Sequence, residues 1–125
     1  MYEDRADILY DAIRANPNDV GEIAENTGLR VENVAKVKTH LFLELHYLDK
    51  YEPIGVPGHW SRFDSDPVIA ESWERLRAGN FGRRDLQLLR HEIAEAWFMR
   101  RNGPSYRLAH EAAEIRFPAP LELWC

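Results

Sequence analysis

Apolar side chains recur every three or four residues along most of this chain, which is the spacing of one face of an α-helix. In the clearest segment, Val34, Val37, Leu41 and Leu45 form a single inner stripe. No stretch alternates apolar and polar residues for long enough to predict a sheet. The pattern therefore predicts six helices, at about residues 3–15, 19–25, 31–46, 67–79, 84–101 and 104–117.

Proline and glycine divide the chain. Asp66 before Pro67 predicts a helix start, because an Asp side chain caps the first turn and proline fits the first helical position. Two prolines and two glycines within residues 49–65 predict a loop, with room for a short strand pair around residues 54–56 and Trp60. The predicted fold is all-α, a single-domain bundle. It comprises a helix-turn-helix-like unit (1–48), the Pro/Gly loop (49–65), a three-helix part ending in a helical hairpin (66–117) and a tail (118–125).

Residues 20–41 match the pattern of a helix-turn-helix unit. Gly28 accepts the positive φ of the tight turn, and Ala24 lets the two helices cross closely. In a DNA-binding version, four polar side chains of the second helix would face the major groove: Glu32, Asn33, Lys36 and Thr39. Acidic residues crowd the same surface, so repulsion by phosphate is expected. A trihelical core used only for packing or protein contact is the other interpretation.

Charge limits the partners that the chain can bind. Of the 125 residues, 16 are Lys or Arg and 21 are Asp or Glu, giving a net charge of −5. Binding to a phosphate backbone draws its free energy from clustered Lys and Arg, which an acidic chain does not supply by default. All of the Lys and Arg residues in the second half of the chain are arginines. Six of them could form a local basic band: Arg83, Arg84, Arg90, Arg100, Arg101 and Arg107.

The location of the protein is predicted from what the chain lacks. No apolar run approaches the roughly 18–20 residues of a membrane span, so no membrane contact is expected. The N-terminal residues are too acidic for a signal peptide. Cys125 is the single cysteine, which excludes an intrachain disulfide. We therefore expect a cytosolic domain or a soluble effector that is delivered elsewhere.

Two copies of one short motif lie on the last two predicted helices. The first is His91-Glu92-Ile93-Ala94-Glu95, and the second is His110-Glu111-Ala112-Ala113-Glu114. In each copy the histidine and the second glutamate are four residues apart, so they share a helical face. A helical hairpin could bring both faces together, and two imidazoles and up to four carboxylates would then converge.

This set of donors suits a divalent transition metal such as zinc, iron or manganese, because imidazole and carboxylate are the usual ligands where cysteine is absent. We predict that His91, Glu95 and His110 bind the metal, and that Glu92 acts as a base toward a water that the metal activates. Arg62 and Arg90 are predicted to hold a phosphate group. A zinc-protease site is not predicted, because that motif needs histidine at both positions.

A metal-free arrangement is the alternative. His110 shares a helical stripe with Tyr106, Ala109 and Ala113, so it could be a core histidine that is paired with Glu95. His40 and His46 are minor ligand candidates, since they are six residues apart and do not share a helical face. The sequence therefore leaves a metal site and a structural histidine–glutamate network open.

Several short motifs follow one another in a distinctive order between Tyr10 and Phe117. They include Ile23-Ala24-Glu25-Asn26-Thr27-Gly28, Arg62-Phe63-Asp64, Trp73-Glu74-Arg75-Leu76, Leu88-Leu89-Arg90-His91-Glu92 and Ala109-His110. The series resembles a helical domain found at the C-terminus of bacterial polymorphic toxins and of phage head morphogenesis-like proteins. The resemblance implies an effector, typically a nuclease or another hydrolase. This domain is expected to be free-standing, which leaves a phage-derived, regulatory or antitoxin-like role open.

These observations lead to two functional hypotheses. The first is a toxin-like domain that processes nucleic acid with metal assistance through the histidine–glutamate motifs. The second is a non-enzymatic module that binds nucleic acid or protein through the helix-turn-helix-like unit. A homodimer is also expected, because the apolar tail at residues 118–124 must cover its own core or that of a neighbour.

Overall fold

The computed structural model describes residues 4–116, which form six α-helices and one small antiparallel sheet. The helices are α1 (Arg5–Ala15), α2 (Asp19–Thr27), α3 (Val31–Lys38), α4 (Pro67–Ala78), α5 (Arg83–Asn102) and α6 (Tyr106–Arg116). The all-α prediction is confirmed. The predicted tail lies outside the described residues. Among the described helices, none is long and apolar enough to cross a membrane.

The third helix is shorter than predicted. After α3 the chain makes one wide π-helical turn, Thr39–Leu43, which the backbone N–H of Glu44 closes by donating to the carbonyl of Thr39 at 2.8 Å. A π-helical turn holds an extra residue, so the side chains after it leave the 3.6-residue spacing. Leu45, predicted to be on the inner stripe, is consequently 59% exposed. His40 is turned inward by the same wide turn.

The sheet consists of two three-residue strands. Strand β1 (His46–Leu48) pairs antiparallel with β2 (His59–Ser61), and Tyr47 lies opposite Trp60. The prediction for the second strand holds at Trp60, but the prediction of the first strand at residues 54–56 is wrong. Glu52–Ile54 form a 3₁₀ turn that ends at Gly55, where φ is +91°. This tight turn prevents that segment from pairing.

One hydrophobic core draws on α1 to α5. Helix α4 lies at its centre and packs against both α1 and α2, while α3 packs along α5. A buried carboxylate at the start of α2 links three helices: Asp19 accepts from Lys38 Nζ at 2.8 Å and from Trp73 Nε1 at 3.0 Å. The N-terminal helices therefore share their core with the rest of the bundle.

Helices α5 and α6 form the predicted C-terminal hairpin. Glycine at position 103, with φ at +102°, ends α5. Asp49, just after β1, accepts hydrogen bonds from the hydroxyl of Ser105 and from the backbone N–H of Arg107 at 2.8 Å. Because free N–H groups at a helix start need acceptors, Asp49 caps α6 from a distant part of the chain. This contact fixes the position of α6 against β1.

Candidate metal centre

Six histidine and glutamate side chains meet between the π-helical turn, α5 and α6. Five of them are buried, and the sixth, Glu114, has a side chain that is 31% exposed. We call these residues the His/Glu cluster: His40, His91, Glu92, Glu95, His110 and Glu114. They include two groups of three that could each hold a metal ion.

Glu95 lies at the centre of the cluster. Its Oε1 is 2.8 Å from His40 Nε2, and its Oε2 is 3.3 Å from both His91 Nε2 and His110 Nδ1. Glu95 shares a face of α5 with His91 because the two are one turn apart, as the sequence predicts. One carboxylate thus reaches three imidazoles from three different elements.

Helix α6 supplies the second motif in the antiparallel register that the prediction requires. His91 faces Glu114, with 3.5 Å between Nδ1 and Oε1, while Glu95 faces His110. Within α6, Glu114 Oε1 also lies 4.0 Å from His110 Nε2. In both His91 and His110, one ring nitrogen therefore lies near Glu95 and the other lies near Glu114. Glu111, the other acidic residue of this motif, points outward and is exposed.

His40 is the member that the sequence analysis ranked as minor. The π-helical turn directs it into the cluster, where its Nε2 also lies 3.3 Å from Glu92 Oε2. His46 holds this turn by donating from Nε2 to the backbone carbonyl of His40 at 2.6 Å, and the ring of Phe63 stacks on His46 at 4.3 Å. The inward position of His40 cannot be predicted from the helical periodicity, because the π-helical turn interrupts that periodicity.

Burial and pairing set the charges of the metal-free cluster. Burial alone would lower the pKa of His40, but the hydrogen bonds with Glu92 and Glu95 raise it to about 10. For Glu95, burial raises the pKa, and this effect is outweighed by His110, His40 and His91, so the pKa lies well below the usual value. Burial and the nearby charge of His40 lower the pKa of His46. At neutral pH, His40 is therefore a cation beside an ionised Glu95.

The spacing of the donor atoms is compatible with metal ligands as well as with hydrogen bonds. An ion bound at about 2.0–2.2 Å holds adjacent ligand atoms about 3.0–3.6 Å apart. The separations of 3.3 Å around Glu95 Oε2 and of 3.5 Å between His91 and Glu114 lie in this range. Hydrogen bonds between nitrogen and oxygen are mostly 2.7–3.2 Å long. The contact between His40 and Glu95, at 2.8 Å, has that length, and the contact between His110 and Glu95, at 3.3 Å, is a longer hydrogen bond.

The other three predicted site residues, Glu92, Arg62 and Arg90, differ in their position relative to the cluster. Glu92, predicted as a base, is fully buried beside His40. Arg62 and Arg90 have exposed side chains, and no hydrogen bond or ion pair found between residues 4 and 116 joins either of them to the cluster. Neither arginine therefore contacts the cluster, and their binding of a phosphate group stays a prediction.

A cleft of about 520 Å³ opens beside the cluster at His40 and His46. Its walls include two exposed apolar side chains, Leu45 and Trp60. Two cationic residues, Lys36 and Arg100, also line it. Both of these cations lie over the ring of Trp97, Lys36 Nζ at 4.0 Å and Arg100 Cζ at 5.9 Å from its centroid.

The chain was compared with protein-family models, with curated proteins and with solved structures, and none of them matches. The resemblance to toxin-tip and phage-related domains therefore rests on the sequence motifs alone. Any functional conclusion must come from the site itself.

Proposed function

We propose that this protein is a metal-dependent hydrolase, in which the His/Glu cluster binds a divalent transition metal and nucleic acid or a nucleotide is the substrate. The observation that carries the proposal is the convergence of three imidazoles and three carboxyl groups at ligand spacing, around the carboxylate of Glu95. Side chains of these types at such distances are the usual ligands of zinc, iron and manganese.

The chemistry follows from what each part of the site supplies. A bound divalent ion lowers the pKa of a water to about 7, which makes hydroxide available at neutral pH. His91, Glu95 and His110 hold the ion from two antiparallel helices, so the hairpin fixes their positions. Glu114 is the one carboxyl group of the cluster that reaches solvent, so it would complete the ligand set on the solvent side.

The cleft supports a phosphate ester as the substrate class. Lys36 and Arg100 supply two positive charges beside His40, against one negative charge from Glu44 in the same cleft. Cationic side chains bind phosphate, and an exposed aromatic ring such as that of Trp60 provides a face on which a base can stack. Charge and aromatic surface therefore occur together at the opening nearest to the cluster.

Elemental analysis tests the proposal. Protein purified without a nickel column should carry at least one zinc, iron or manganese ion per chain. It should also cleave single-stranded nucleic acid or a nucleotide ester. His91→Ala should bind less metal and lose cleavage, whereas His59→Ala, which removes an exposed histidine on β2, should keep the metal content and the activity of the wild type. A folded protein that binds none of these metals on addition would overturn the proposal.

The rival function, nucleic-acid binding through the helix-turn-helix-like unit, has less support. The second helix of that unit, α3, packs along α5. Lys38 is buried in an ion pair with Asp19, so it is not available to phosphate.

Homodimerisation and a cytosolic or delivered location remain predictions of the sequence.

A further inference from the structure

We infer that the His/Glu cluster holds two metal ions and that Glu95 bridges them. The inference rests on the proposed function, because it specifies how many ions that same cluster binds. It starts from the division of the cluster into two groups, each with ligand atoms within 4.8 Å of one another. The first group is His40, Glu92 and Glu95, and the second is His91, His110 and Glu114.

Both groups take ligands from α5, and each adds ligands from a different neighbouring element. His40 comes from the π-helical turn and meets Glu92 and Glu95 on one side of α5. His91 meets His110 and Glu114 on the side of α5 that faces α6. Each group therefore offers both imidazole and carboxyl donors, which suits one ion in each.

Glu95 connects the groups through its two oxygens. Oε1 points to His40 in the first group, and Oε2 points to both His91 and His110 in the second. A carboxylate with one oxygen toward each ligand group is arranged as a bridge between two ions. Two ions about 3.5–4 Å apart are common in enzymes that hydrolyse phosphate esters, where they stabilise the attacking and the leaving oxygen.

The charge balance of the cluster allows either one ion or two. The carboxyl groups of Glu92, Glu95 and Glu114 carry a formal charge of −3 when ionised. One divalent ion would leave a charge of −1, which the proton on His40 would cancel. Two divalent ions leave one positive charge, which would attract the phosphate.

The number of bound ions can be counted with Mn²⁺. Metal-free protein should be titrated with Mn²⁺ and examined by native mass spectrometry and electron paramagnetic resonance. We expect two ions per chain with a magnetically coupled signal, because the two ions share a carboxylate. One ion per chain overturns the inference and leaves the proposed function standing. Two uncoupled ions overturn the bridge, and no bound ion overturns both proposals.

Variants assign the ions to the two groups. Glu92→Gln should reduce the count from two to one, and so should Glu114→Gln, while Glu95→Gln should abolish the coupling. Glu111→Gln, an exposed position on the same helix as Glu114, is the matched control and should keep two coupled ions. Circular dichroism checks that each variant is folded. Loss of both ions in folded Glu92→Gln and in folded Glu114→Gln would indicate a single site and contradict the inference.

Discussion

The carboxylate of Glu95 contacts three imidazoles, and the charge of His40 explains how this arrangement is stable without a metal. In the metal-free protein the proton on His40 provides positive charge beside the ionised Glu95. A buried carboxylate without such a partner would cost several kcal/mol. The same residues can therefore form either a protonated network or a metal centre, and the two alternatives left open by the sequence share one geometry.

A second buried carboxylate, in the first turn of α5, gives a pH prediction. Asp85 accepts from Ser72 Oγ at 2.6 Å, from Arg75 at 2.8 and 3.0 Å, and from the backbone N–H of Gly82 at 3.0 Å. Burial raises the pKa of Asp85, but these partners outweigh burial and lower it. The stabilisation is therefore complete above the unfolded pKa of about 3.9, and it is lost as pH falls through the lower folded value.

Replacing this carboxylate tests the argument. Asp85→Asn should reduce the free energy of unfolding at pH 7 by about 1–3 kcal/mol, because the charge-assisted hydrogen bonds of the buried carboxylate are lost, while the half-exposed Arg75 stays solvated. The deficit relative to the wild type should shrink below about pH 4. In that range the carboxyl group of the unfolded wild-type chain takes up its proton before that of the folded protein does. Urea unfolding at several pH values measures both effects. A deficit that stays constant down to pH 2 would contradict the assigned role of the charge.

At the scale of elements, the helix limits were largely predictable and the π-helical turn was not. Asp66 caps α4 as predicted, its Oδ1 accepting from the backbone N–H of Val68 at 2.8 Å. The inner stripe was correct up to Leu41 and failed at Leu45, on the far side of the π-helical turn. Sequence periodicity assumes a constant number of residues per turn, so it cannot place His40.

The joint between α5 and α6 should be sensitive to its glycine. Gly103 has a backbone φ of +102°, a conformation that residues other than glycine rarely adopt. Gly103→Ala should therefore lower the free energy of unfolding by about 1–2 kcal/mol. Gly21→Ala, in an open position inside α2, should raise it by about 0.5–1 kcal/mol. Thermal unfolding of the two variants checks the opposite signs, and equal effects would show that backbone conformation is not the cause.

At the scale of the whole molecule, metal binding should stabilise the fold. The ligands come from the π-helical turn, α5 and α6, so an unfolded chain cannot bring them together. An ion that binds only the folded state adds about 2.7 kcal/mol at a concentration 100 times its Kd. The melting temperature should rise on addition of Mn²⁺ or Zn²⁺ and fall again with a chelator. His59→Ala should show the same shift, whereas a shift of undiminished size in His91→Ala would place the ions elsewhere.

The sequence by itself determined the all-α class, most helix limits and the pairing of His91 with Glu95 and of His110 with Glu114. These features follow from contacts within a few residues, which spacing alone specifies. The tertiary structure decided the rest: that His40 joins the cluster, that Glu92 is buried beside it, and that Arg62 and Arg90 do not reach it. Those positions depend on how the π-helical turn and α6 pack on α5, and no local pattern encodes that packing.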